Sequence, residues 1–314
     1  MMRYRADLRS IAFVLTYYAL VIYQWNWGPT RWYLALPLLM LTMAFSWFCA
    51  VITHNTLHSP VFTSRWMNKV FQVMLTCSYG FPVSEYVPGH NLSHHKFTQA
   101  PKDVMRTTKV DSGNNLLNMI LFVPRVAFDV TGGNMRFVKT MKNTHRAWYR
   151  QFLIETSICW GEKLVLFALD WRKTLLYIVI PHLWAVWGIT AVNYLQHDGC
   201  DQEHPVNHSR NFVGEIFNWF TFNNGFHGMH HEQPGLHWSL LREKHDELLH
   251  PTIHPELEQK SLLIYLVKAF FWPGKRVTYD GKPVIVSKSI DVVDWVPVRG
   301  ESKDLGAEGL TAAT

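Results

Sequence analysis

Residues 32–52 form an unbroken run of 21 residues without one charged side chain. A helix needs roughly 20 consecutive apolar residues to cross a bilayer. Residues 11–27 are likewise uncharged, and the Asn-Trp-Gly-Pro-Thr-Arg segment between the two runs, residues 26–31, carries the Gly and Pro of a tight connection. A transmembrane hairpin follows. Residues 174–193 form another long uncharged stretch, and residues 152–169, mostly apolar but containing Glu155, Glu162 and Lys163, are read as the return pass before it. That pass restores Asn193 to the side on which His54 emerges. The composition agrees: 17% of residues are charged, against about 25% in soluble domains. Residues 1–10 are read as the start of a retained anchor, since no small-residue cleavage site follows the apolar run. The expected fold is an all-α integral membrane protein of about four transmembrane helices with a helical cap.

The expected division is a hairpin over 1–53, a first cap segment over 54–148, a second hairpin over 149–192, a second cap segment over 193–275 and a tail over 276–314. Residues 66–83 and 116–130 look amphipathic or interrupted and are expected to be interfacial or capping helices. The tail reads as a short extended segment followed by a frayed end. Four dispersed cysteines without a CxxC pair encode neither a disulfide scaffold nor a sulfur-ligated metal site. A net charge of +6 leans the surface toward anionic lipid or an acidic partner, and no nucleic-acid partner is expected.

Seventeen histidines are the anomaly, because most are clustered: HNTLH at 54–58, HNLSHH at 90–95, NYLQH at 193–197 and HGMHH at 227–231. On an α-helix, positions three and four apart share a face, so His54/His58, His90/His94 and His227/His230/His231 are each expected to aim at a common point. Asn193 and His197 have the same spacing. Repeated imidazoles withdrawn from water are costly without a metal. One tetrahedral zinc needs four ligands, so nine histidines suit two metals with four or five nitrogen ligands each, iron being the redox-capable choice. By contrast His145, His182, His204, His208, His245, His250 and His254 stand alone and are read as ordinary hydrogen-bonded residues. His237 is intermediate, a candidate support for a ligand or a substrate-head contact.

HNTLH, HNLSHH and HGMHH resemble the three histidine boxes of membrane-bound fatty acid desaturases, and NYLQH resembles the NxxxH element of that superfamily. The resemblance spans roughly residues 11–272. It implies a four-helix transmembrane base, a cytosolic cap holding two Fe ions in a di-iron centre, oxygen activation and an acyl-chain tunnel. It also implies the ligands His54, His58, His90, His94, His95, His197, His227, His230 and His231, with Asn193 acting through water. NYLQHDG resembles as well the NYxEHYG signature of membrane alkane and xylene monooxygenases, with Gln196 in place of Glu.

The expected function is oxygen-dependent oxidation of a lipid acyl chain. Desaturation ranks ahead of hydroxylation or decarboxylation within the same superfamily. A membrane zinc hydrolase is the alternative from another class, and the surplus of histidines argues against it. A metal transporter would hold its ligands within the spans, whereas here only His182 is midspan. The sequence carries no Rieske, ferredoxin, CxxCH or GxGxxG motif, so electrons are expected from an external ferredoxin-like or b-type cytochrome donor with its reductase. Lys96, Lys102, Arg106 and Lys109 are candidate docking residues for such a donor. The expected location is the inner or plasma membrane, multi-pass, with the cap in the cytosol.

Overall fold

The computed structural model describes residues 1–286, 294–297 and 305–306. Six long helices dominate: α1 (Asp7–Trp27), α2 (Trp32–His58), α3 (Arg65–Tyr79), α4 (Asn115–Thr144), α5 (Arg146–Leu169) and α6 (Trp171–His197). Among the described residues the strand content is one parallel pair, β1 (Asn211–Phe212) with β2 (Glu258–Gln259). The chain is all-α in class, as expected. It forms two compact units, one of Met1–Val87, Val138–Ile189 and Arg299–Thr314, the other of Pro88–Phe137 and Thr190–Val298. Two of the unit boundaries fall inside α4 and α6.

In the first unit, α1 and α2 pair as the expected hairpin, with Phe13 against Phe45 and Phe48 at ring centroids 5.2 and 5.5 Å apart. One side-chain hydrogen bond joins polar groups of the two helices. Gln24 donates to Thr42 and to the Leu20 carbonyl. In α5, the buried Glu155 accepts from the Ser84 amide at 2.7 Å and from Gln151 at 2.8 Å, while Lys163 donates to the Gly80 carbonyl at 2.9 Å. These bonds explain how Glu155 and Lys163 pack in an apolar bundle. Gly80 ends α3 at φ +98°, and a Cβ there would lie 2.2 Å from the His182 side chain, so the position requires glycine twice over. His182 itself bonds Tyr17 Oη through Nε2 at 2.7 Å.

By length and apolarity three helices can cross a membrane: α2, α4 and α6. The helix α4 corrects an expectation. The interrupted apolar pattern of residues 116–130 predicts an interfacial or capping helix, yet the helix runs for 30 residues. Asp129 is neutralised by Lys109 and, at 3.6 Å, by Arg125, which offsets the cost of a charge in an apolar setting.

Helix α6 begins at an Asp170 cap, whose carboxylate accepts from the Arg172 and Lys173 amides at 3.0 and 3.1 Å. It ends on NYLQH. Helix α5 begins at His145, whose Nδ1 accepts from the Trp148 amide at 3.2 Å. In the tail, Val277 pairs with Pro283 in an antiparallel bridge, consistent with an extended segment. The expected frayed end lies mostly outside the described residues.

Candidate metal centre

In the second unit the HNLSHH segment lies on a continuous helical stretch formed by Tyr86–Gly89, a π-helical turn at His90–His94, and His95–Phe97. The π turn changes which histidines face together. A π turn brings residues five apart onto one face instead of four, and His90 and His95 accordingly approach with Nε2 atoms 3.1 Å apart. His94 turns away into a different set. The expectation that His90 and His94 share a point is thereby corrected. HGMHH divides similarly, on the ordinary helix His227–Glu232. His227 and His231, four apart, bring their Nε2 atoms to 3.2 Å. His230 instead reaches His95 Nε2 at 3.0 Å, so the three do not meet at one point.

Two sets result. His94, His197, His227 and His231 have ligand atoms all within 4.8 Å of one another. Within this set His197 Nε2 lies 2.9 Å from His227 Nε2 and 3.2 Å from His231 Nε2. A second set of clustered histidines in this unit is His90, His95 and His230. The sets adjoin, since the His95 and His231 rings stack at 4.5 Å. His54 and His58 belong to the first unit, where they end α2 with ring centroids 5.7 Å apart. Asn193, one turn before His197, is buried and its amide donates to the Met105 carbonyl at 3.5 Å.

The inward-facing nitrogen atoms of His94 and His197 carry lone pairs. His94 Nδ1–H donates to Asp103 Oδ2 at 2.9 Å, both side chains being fully buried, which leaves Nε2 as an acceptor with no hydrogen-bond partner. His197 Nδ1–H donates to the His208 carbonyl at 3.2 Å and directs its own Nε2 lone pair into the same space. Neutral imidazoles with lone pairs converging at about 3 Å repel unless a cation lies among them. Two nitrogen ligands on one metal, each about 2.0–2.1 Å from it, stand roughly 2.9–3.4 Å apart for ordinary coordination angles. The observed separations fall in that range, so these residues fit a metal ion. A carboxylate or carbonyl behind each ring is the usual way a ligating imidazole is oriented.

Asp103 is the functional residue that motif reading misses. Its carboxylate accepts not only from His94 but from the Gln99 and Met105 amides, each at 2.7 Å. Burial pushes this carboxyl up, but His94 and the two amides outweigh burial and hold it below the usual carboxylate range. It lies nine positions after His94, beyond the end of the helical stretch at Phe97, so no spacing rule points to it.

Burial first, and then the neighbouring His227, His197, His94 and His230, push His231 well below the ordinary histidine value. The sign for stability follows. In metal-free protein His231 stays neutral where its unfolded counterpart takes a proton below about pH 6.5, so stability falls as pH drops, by up to about 1.4 kcal/mol per pH unit. Thermal melting of metal-stripped protein between about pH 7.5 and 5.5 checks this, and a flat profile contradicts it.

The solitary histidines hold hydrogen bonds as expected. His204 Nδ1 accepts from the Val206 and Asn207 amides. His208 pairs with Glu232 at 3.1 Å, and His245 and His250 each reach Glu258 at 2.7 Å. His254 accepts from the Glu256 amide, and His237 from the Ser239 amide at 3.3 Å. Of the four cations expected at a docking surface, Lys109 is taken up by Asp129. Lys96 and Lys102 flank the Phe97 ring at 5.9 and 5.6 Å.

Residues 30–258 match the fatty acid desaturase family. The chain belongs to that family. It is 25% identical over 258 residues to an alkane 1-monooxygenase of Ectopseudomonas oleovorans, covering 77% of this chain and 61% of that protein. It is 24% identical over 218 residues to a sphingolipid delta(4)-desaturase of Komagataella phaffii, covering 62% of this chain and 55% of that protein. The chain thus spans somewhat over half the length of these relatives. Gln196 in NYLQHDG now has a local reason: buried, it donates through Nε2 to the Asn224 carbonyl at 2.9 Å. Gln196→Glu replaces that donor by a carboxylate facing a carbonyl and is expected to lower stability by about 1–3 kcal/mol. Thermal melting checks it, and an unchanged midpoint contradicts the assignment.

Proposed function

We propose that this chain is a multi-pass membrane oxidoreductase that uses two iron ions and dioxygen to oxidise the acyl chain of a lipid, introducing a double bond. The observation that carries the proposal is the four-histidine set, with the lone pairs of His94 and His197 directed inward, adjoining a second histidine set, in a chain of this family. The ligands proposed are His94, His197, His227 and His231 for one iron, and His90, His95 and His230 for the other. His54 and His58 are proposed as further iron ligands on the strength of the family pattern, and Asn193 contributes through water. Iron bound there supplies the activation of dioxygen needed to break an unreactive C–H bond, which no side chain supplies.

The protein's own part is orientation and exclusion of water. Asp103 fixes the His94 ring and its tautomer, and the His208 carbonyl does the same for His197. Six of the nine histidines are buried and His58, His95 and His231 are partly exposed, and Phe226, Met229 and Leu195, their neighbours in sequence, are buried, so the reacting carbon can be held in a largely dry setting. The proposed topology puts the histidine-bearing cap in the cytosol, where an acidic external electron donor meets Lys96, Lys102 and Arg106.

A hydroxylase is the second reading, favoured by NYLQHDG and by the alkane monooxygenase relative. Expression in a host with a compatible reductant, followed by mass spectrometry of lipids formed under isotopically labelled dioxygen, separates the two. A new unlabelled double bond is the expected product. A labelled hydroxyl supports the second reading, and a terminal alkene one carbon shorter supports decarboxylation. A modified carotenoid or sterol with unchanged acyl chains overturns the substrate assignment.

A further inference from the structure

A single side chain from beyond the last helix ties together the two chain segments that aim the four-histidine set. Arg276 and Asp198 form an ion pair in which both side chains are under a tenth exposed. The guanidinium donates to Asp198 from Nη2 at 2.6 Å and from Nε at 3.1 Å to each carboxylate oxygen. Its remaining donors go to main chain, Nη1 to the Val110 carbonyl at 2.7 Å and Nη2 to the Thr107 carbonyl at 3.1 Å. It also covers the Tyr194 ring at 5.6 Å. Five donors in a rigid planar fork can make such a set of bonds at once, and a lysine cannot.

Each end of this grip leads to a box histidine. Asp198 follows His197 directly, at the end of α6. That end is further fixed by Arg210, whose buried Nη1 donates to the Leu195 and Asp198 carbonyls at 2.7 and 2.9 Å. On the other side, the Thr107 amide donates to Gln99 Oε1 at 2.8 Å, the Gln99 amide donates to Asp103, and Asp103 orients His94. Gly199, at φ +74°, lets the turn after Asp198 lie against the segment that follows Arg276, where a Cβ would meet the Val277 carbonyl at 2.4 Å.

We infer that Arg276 is a positioning residue for the four-histidine set, fixing the His197 arm relative to the His94–Asp103 arm. The inference rests on the metal reading of that set. An arginine that merely fastened the C-terminal segment would need neither the carboxylate beside His197 nor the carbonyls of the Asp103 loop.

The test is titration of metal-stripped, detergent-solubilised protein with Co²⁺ alone, read by its visible ligand-field absorption and by thermal melting with and without the metal. Wild-type protein is expected to take up two Co²⁺. In Arg276→Gln one of the two is expected to bind about 10-fold or more weakly, with a changed absorption band and a smaller Co²⁺-induced rise in melting temperature. Arg276→Lys, which reaches Asp198 but not both carbonyls, is expected to fall between, and Arg242→Gln, at an exposed pair with Glu215, to match wild type. Two Co²⁺ bound with wild-type affinity and band in Arg276→Gln, with equal losses of melting temperature in the metal-free and loaded forms, overturn the inference and leave the metal reading intact. If Arg276→Gln does not fold, wild-type binding by Arg276→Lys overturns it equally. Wild-type protein that takes up no Co²⁺ overturns the metal reading and this inference with it.

Discussion

His197→Ala is expected to leave purified protein with about one iron per chain in place of about two and to abolish turnover, because a ligand lost from a buried site is not replaced by water or by a neighbour. His197 is central to its set, with Nε2 within 3.2 Å of both His227 and His231. The adjacent polar side chains are committed elsewhere, Gln196 to the Asn224 carbonyl and Asp198 to Arg276. His145→Ala is the matched control. It removes a helix cap worth about 1 kcal/mol and is expected to keep its iron and most of its activity. Metal analysis beside product formation decides the matter. His197→Ala protein with wild-type iron and turnover would mean that the four-histidine set is not a metal site.

Asp103→Asn is expected to weaken metal binding by about 10–100-fold while leaving the fold in place. Three N–H groups converge on this carboxylate, from His94, Gln99 and Met105. An amide offers one acceptor oxygen, so at least one donor loses its partner, or His94 switches tautomer and presents N–H where a lone pair is needed. Competition with a chelator measures the change. Unaltered affinity in Asp103→Asn would assign Asp103 to loop stability alone.

The parts of this architecture that were legible in the sequence are those set by local chemistry. Uncharged runs placed α1, α2 and α6, and the histidine clusters marked the residues that converge. The partition of those histidines was not legible, because it depends on a π turn at His90–His94 that no residue in HNLSHH dictates on its own. The length of α4 was hidden for a related reason: Asp129 reads as an interruption until Lys109, twenty residues earlier, is seen to neutralise it. Asp103 and Arg276 lie at distances along the chain that carry no period. Only the fold brings them to His94 and Asp198.

The most direct measurement of the central claim is metal content combined with X-ray absorption at the iron edge on protein purified from iron-replete cells. The expected result is about two irons per chain, each in a histidine-nitrogen shell without sulfur. A single zinc per chain, or two histidine sets that hold no metal when the protein is otherwise folded, would contradict it.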